Sequence, residues 1–186
     1  MLKKLEQIST KKIFSNPYWE YFFDKYRMPN GEIGEYNYVN SRGSTMMIPV
    51  LDDGRVIMTK QYRYLNQRIS IEFPGGGVDK GLTPEENAAK ELLEETGCKY
   101  KKIIKLGEFN PFNGVTNEIC HAYICKGLNY EENEKQEESK RNEESEEIEI
   151  EILTQKEIDE AIKSGLIWDG MTMAVWSLYK AHISAN

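Results

Sequence analysis

Apolar and polar residues alternate along most of this chain with the short period of strands, interrupted by a few stretches with helical spacing. Tyr18 to Met28 is rich in aromatics, the Pro29-Asn30-Gly31 turn breaks it, and Gly34 to Asn40 returns, which predicts antiparallel strands. A clearer hairpin runs from Thr45 to Leu51, turns at Asp52-Asp53-Gly54 and comes back over Arg55 to Arg63. Ser70 to Phe73 reads as a short strand leading into Pro74-Gly75-Gly76-Gly77. Lys102 to Phe109 and Glu118 to Lys126 read as strands around the loop Asn110 to Asn117. From Glu147 the run E-I-E-I-E-I alternates strictly, the pattern of a strand with one buried face.

Helix signals are local and specific. Thr83 is placed as an N-cap, Pro84 sits at the first helical position, and Glu86 completes a capping box. Gly97 supplies the stop, so a helix over 84–96 is predicted. Thr154 and Glu157 form a second capping box, opening a helix to about Lys163, and a last helix is predicted from about Gly170 to His182. Strands with two or three helices give an α/β sandwich. The N-terminal strands form a separate small antiparallel sheet. The expected organisation is residues 1–43 for those strands and 44–186 for the sandwich.

Composition narrows the partners. The net charge of −7 over 186 residues argues against nucleic acid as a routine partner, because phosphate backbones are bound by basic surfaces. An acidic protein can still take a phosphorylated small molecule if metal ions supply the positive charge. Cys98, Cys120 and Cys125 have no C-x-x-C spacing, which predicts buried free thiols and neither a zinc site nor a disulfide framework. The opening MLKKLEQISTKK lacks the apolar run of a signal peptide, and no stretch approaches the roughly 20 apolar residues of a membrane span. No membrane association and a cytoplasmic setting are the expectation. Residues 131–147, EENEKQEESKRNEESEE, are expected to be a mobile acidic loop.

The chemistry concentrates on the helix over 84–96. At about 100° per residue, Glu91, Glu94 and Glu95 share one arc, while Ala88, Ala89, Leu92, Leu93 and Thr96 occupy the rest. Like charges at i,i+4 destabilise a helix, and anions near its C-terminus oppose the macrodipole. Either this is a solvated acidic face, or a cation offsets both penalties. Oxygen ligands at this density suit Mg2+ or Mn2+. The preceding Gly75-Gly76-Gly77 allows close backbone approach to a ligand, although a triple glycine alone is a weak signal.

The segment GGVDKGLTPEENAAKELLEETGC, residues 76–98, resembles the Nudix box, G-x5-E-x7-R-E-U-x-E-E-x-G-U with U a bulky apolar residue. Gly76, Glu91, Leu92, Glu94, Glu95 and Gly97 fall on the prescribed positions. Leu82 departs from the first Glu, Lys90 from Arg, and Cys98 from the final apolar residue. Lys90 keeps the charge and loses the planar fork. Beyond the box, residues from about 17 to 182 resemble the ADP-ribose pyrophosphatase branch, through Gln61-Tyr62-Arg63, IEFPGGG, the loop Asn113 to Glu118, and Leu166 to Thr172.

The resemblance implies a Nudix-type α/β/α sandwich with a mixed sheet, and a metal-dependent hydrolase of the diphosphate linkage of a nucleoside diphosphate sugar. It implies Glu91 and Glu95 as metal ligands with the Gly75 carbonyl, and Glu94 as a ligand, an orienter of the metal shell or a catalytic group. Arg63 would reach the diphosphate or the terminal ribose. The catalytic base would come from the loop before the last strand, where Glu146 or Glu147 matches best. The branch also implies a homodimer, with Trp19 or Phe22 stacking on the nucleobase. The leading substrate is ADP-ribose, cut to AMP and ribose 5-phosphate with Mg2+ (or Mn2+). GDP-mannose or another nucleotide sugar, a dinucleotide such as NADH, or a non-catalytic sensing role are the alternatives. The box itself says nothing about base or sugar.

Overall fold

The computed structural model describes residues 4–130 and 147–185. The chain divides into two units, Met1–Gly43 with Asn110–Ile119, and Ser44–Phe109 with Cys120–Asn186. Most of the run expected to be a mobile acidic loop, residues 131–146, falls outside the described residues.

The first unit is a three-stranded antiparallel sheet in the order β1 (Glu6–Ser15), β2 (Glu20–Arg27), β3 (Ile33–Asn40). The β2–β3 register runs unbroken from Glu20↔Asn40 to Arg27↔Ile33, closed by Gly31 at φ 91° in the turn. β1 carries register shifts between Gln7 and Ser9 and between Lys12 and Phe14. Each shift moves following side chains to the other face, so β1 has no period-two signature, and all ten of its residues are exposed. The sequence pattern did not predict this strand. The loop 110–119 returns to β3: the Val39 N–H donates to the Val115 carbonyl at 2.9 Å, and the Tyr36 hydroxyl to the Gly114 carbonyl at 2.9 Å.

The second unit is built on a seven-stranded mixed sheet. Its main path is β10 (Ile148–Leu153), β5 (Val56–Arg63), β4 (Ser44–Val50), β9 (Cys120–Lys126) and β8 (Lys102–Phe109). β6 (Arg68–Glu72) pairs with β5, and β7 (Gly75–Gly77) with β4. The β4–β9 pair is parallel and the others are antiparallel. All seven residues of β4 are buried, because both faces of the sheet are covered. On one face Met47, Ile57, Tyr123 and Cys125 pack with Ala88 and Leu92 of α1 (Pro84–Thr96). On the other, Met46, Ile48, Met58, Ala122 and Ile124 pack with Ile158 and Ala161 of α2 (Gln155–Ser164) and with Val175, Trp176 and Tyr179 of α3 (Gly170–Ser184). The result is an α/β/α sandwich.

Local chemistry fixes the helix ends. Thr83 and Thr154 each form a reciprocal capping box, with Glu86 and Glu157. Asp169 caps α3 by accepting from the Thr172 N–H at 2.7 Å. Asp159 of α2 accepts from the Trp176 indole at 2.7 Å and from Lys180 at 2.9 Å, which ties the two helices together. The three thiols are free and buried, and burial pushes the Cys125 thiol up to about 12. Among the described residues, no helix is long and apolar enough to cross a membrane.

Candidate active site

The glycine run is a strand and not a loose loop. Ser44, Thr45 and Met46 pair with Gly77, Gly76 and Gly75. A Cβ at position 75 would collide with the Thr45 carbonyl, so the ladder at that point accepts only glycine. A Cβ at position 76 would lie 2.6 Å from Glu91 Oε2, so the bare backbone there is where the Glu91 carboxylate sits. The β7 strand and the acidic arc of α1 are thus in direct contact. The Gly75 N–H donates to Glu95 Oε2 at 2.9 Å.

The loop between β7 and α1 is fixed by Asn87, which is fully buried in the first turn of the helix. Its amide donates to Thr45 Oγ1 at 3.1 Å, and its carbonyl oxygen accepts from the Asp79 N–H at 2.9 Å. Nothing in the sequence pattern singled out Asn87, since its partners lie on β4 and in a loop.

Charge in the cluster is held by Lys90, at the position where the Nudix box has Arg. Its ammonium lies 2.6 Å from Glu94, 3.3 Å from Asp79 and 3.5 Å from Glu91. Burial by itself would lower the Lys90 pKa, but the Glu94 hydrogen bond, Glu91 and Asp79 outweigh it and raise it above the ordinary lysine value. Glu91 is held above the usual carboxylate range, first by burial and then by the charge of Glu94, against the opposing pull of Lys90. An acid kept from ionising easily chiefly by its burial, and further by a neighbouring acid, is a group that a cation would stabilise.

The residues fit a hard divalent cation. The donors are oxygens, they crowd a backbone that only glycine satisfies, and the half-buried Glu91 carboxylate has its negative form disfavoured. Among the described residues, no three acidic, histidine or cysteine side chains yet converge on one point. Glu94 is engaged by Lys90, and Glu95 by the Gly75 N–H. Leu82, where the box has its first Glu, is partly exposed in the turn before α1.

Of the expected site residues, Gly75 contacts Glu95, and Glu91 and Glu94 share the Lys90 ammonium. Arg63, at the end of β5, forms a two-pronged pair with Glu72 of β6: its Nε donates to Oε1 at 2.8 Å and a terminal nitrogen donates to Oε2. Glu72 is almost wholly buried, and the sequence reading did not single it out, although an acid inside the apolar run ISIEF is a detectable signal. Glu147 is exposed immediately before β10. The register Ile148↔Gln61 brings the start of β10 to the same end of β5 as Arg63. Glu146 lies outside the described residues.

Trp19 and Phe22 belong to the first unit. The Trp19 ring is 38% exposed and tilts against Phe14 with centroids 5.8 Å apart. Phe22 already stacks on Tyr38, with centroids 5.6 Å apart and planes at 16°. One face of Phe22 is therefore taken, and Trp19 is the freer ring.

Comparison with known proteins agrees with this geometry. The NUDIX domain model matches residues 41–169. The chain is 31% identical over 173 residues to an ADP-ribose pyrophosphatase of Bacillus subtilis (strain 168), covering 92% of this chain and 91% of that protein. It is also 31% identical over 166 residues to a methanol dehydrogenase activator of Bacillus methanolicus, covering 89% and 87%. The crystal structure of an ADP compounds hydrolase matches with a TM-score of 0.81 at 16% identity, over 100% of this chain and 97% of that one, a likeness of fold. Because the matched region runs from just before β4 to the N-cap of α3, and the relatives are covered over nearly all their length, the chain belongs to the Nudix family of pyrophosphohydrolases.

Proposed function

We propose that this chain hydrolyses the diphosphate linkage of ADP-ribose to AMP and ribose 5-phosphate, with Mg2+ as the working cation and Mn2+ as a substitute. The observation that carries the reading is the contact of the Glu91 carboxylate with the glycine backbone of β7, flanked by Glu94 and Glu95. The similarity to an ADP-ribose pyrophosphatase over 92% of the chain supports the choice of substrate.

Nudix hydrolases use divalent metal ions, and Glu91, Glu95 and the Gly75 carbonyl would hold one here, with Glu94 as a further ligand or orienter. When bound, such an ion neutralises the diphosphate oxygens and lowers the pKa of water. The protein supplies the rest. Lys90 limits repulsion among the carboxylates before the substrate arrives. Arg63, its guanidinium paired with Glu72, would reach a phosphate or ribose oxygen of the substrate. Glu146 or Glu147 takes the proton from the attacking water, since carboxylates engaged with a cation make poor bases. Trp19, or Phe22, stacks on the adenine, and the chain works as a homodimer through residues 1–43. A cytoplasmic setting is supported by three buried free thiols.

The test is a panel of nucleotide sugars and dinucleotides with magnesium, read as phosphate released by a coupled phosphatase. ADP-ribose should have the highest kcat/KM. A preference for GDP-mannose or NADH would replace the substrate and keep the reaction class. No hydrolysis of any member would favour a sensing module.

A further inference from the structure

We propose that Glu72 is a positioning residue for substrate binding, which holds the Arg63 guanidinium back along the β5–β6 hairpin instead of at its tip. The inference rests on the reading of Arg63 as the group that reaches the diphosphate or ribose. Arg63 ends β5, and Glu72 ends β6 just before Gly75 opens β7.

The register decides where the two side chains can meet. β5 and β6 pair Thr59 with Glu72, Gln61 with Ser70 and Arg63 with Arg68. Glu72 thus stands opposite Thr59, about 13 Å along the strand from Arg63 at the usual rise per residue. Arg63 nevertheless donates to the Glu72 carboxylate from Nε and from a terminal nitrogen. Closing that span requires the arginine to lie back along the strand, across the Gln61–Ser70 pair. Alternation puts Arg63, Gln61 and Thr59 on the same face as Ile57, which packs with Ala88 and Leu92 of α1. The guanidinium is therefore folded back on the face of the sheet that carries α1 and its carboxylates.

Arg68 makes that direction matter. It stands opposite Arg63, and like charges at paired positions repel. Its guanidinium lies 3.8 Å from the centre of the Trp168 ring, so the two arginines have different anchors. Stability alone gives no reason for an acid at position 72. The Glu72 side chain is 7% exposed and that of Arg63 44%. A buried carboxylate loses its hydration, and an ion pair of this kind is often no more stabilising than apolar residues of the same size. What Glu72 supplies is orientation, because a carboxylate engages the planar fork of a guanidinium in one geometry. Without that acid, Arg63 would extend toward water at the hairpin tip, and fewer molecules would be ready to bind.

The test uses the full chain and ADP-ribose with a methylene group in place of the bridging diphosphate oxygen, its binding followed by calorimetry with Mg2+. If another nucleotide sugar proves to be the preferred substrate, its methylene analogue takes that place. Glu72→Gln should weaken binding by about tenfold, and KM for the substrate should rise with it. Arg63→Gln should weaken binding at least as much, and the double variant no further than Arg63→Gln, because Glu72 acts through Arg63. Unfolding in denaturant should rank the two single variants the other way. Arg63→Gln leaves a buried carboxylate unpaired, whereas Glu72→Gln leaves a guanidinium that reaches water. Arg63→Lys keeps the charge without the fork and should bind about as weakly as Glu72→Gln, which serves where Glu72→Gln fails to fold. Wild-type affinity in a folded Glu72→Gln or in Arg63→Lys, or losses that add in the double variant, would overturn the proposal and leave Arg63 as a substrate contact. Wild-type affinity in Arg63→Gln, or no binding by the wild type, would overturn that contact and the proposal together. Neither result bears on the α1 carboxylates, which are tested by their own substitutions.

Discussion

Glu91 is the residue on which the site turns, because burial and the Glu94 charge both oppose its ionisation while its oxygen lies against a glycine backbone. Glu91→Gln and Glu95→Gln keep shape and hydrogen-bonding capacity but lose the negative charge a cation needs. Each should lower turnover by about a hundredfold or more while leaving the circular dichroism spectrum unchanged. Activity within a few-fold of wild type in both variants would remove these residues from the metal site. The base is a separate question. A Glu146→Gln, Glu147→Gln double variant should lower kcat with little change in the affinity for metal or substrate. Near-normal turnover in that variant would send the search to Glu118 or Glu94.

At the scale of elements, α1 carries the three carboxylates proposed as ligands, Glu91, Glu94 and Glu95. Its Thr83 capping box should contribute about 1 kcal/mol, so Thr83→Ala should lower the unfolding free energy by that amount in a denaturant titration. Gly76→Ala, by contrast, should depress activity more than stability, because the atoms its methyl group meets first are the flexible end of Glu91. Equal activity in Gly76→Ala and wild type would mean that the Glu91 carboxylate is not needed where it now lies. The α1 helix was legible in the sequence because its caps and its charge spacing are all local, within residues 83–97. β1 was not legible, since register shifts scramble its faces and none of its ten residues is buried. β7 was missed because three glycines carry no side-chain pattern, and only pairing with β4 makes them a strand. The same distinction holds inside the site. Glu91, Glu94 and Glu95 announce themselves by spacing, whereas Asn87 and Glu72 matter through partners on other elements, Thr45 and Arg63.

For the whole molecule, the first unit holds more exposed apolar surface than a small sheet normally leaves in water, including Ile13, Phe14, Tyr18 and Trp19. The protein should therefore sediment as a dimer, and deletion of residues 1–40 should give monomers or aggregates. A fully active monomer at nanomolar concentration would contradict that assembly. The central claim concerns the second unit, and product identification tests it most directly. The purified enzyme is incubated with ADP-ribose, first with a chelator and then with Mg2+ restored, and the products are separated and quantified. The account predicts no turnover with the chelator, and equimolar AMP and ribose 5-phosphate once the metal is present. Intact ADP-ribose after Mg2+ is restored, or cleavage at any bond other than the diphosphate linkage, would contradict it.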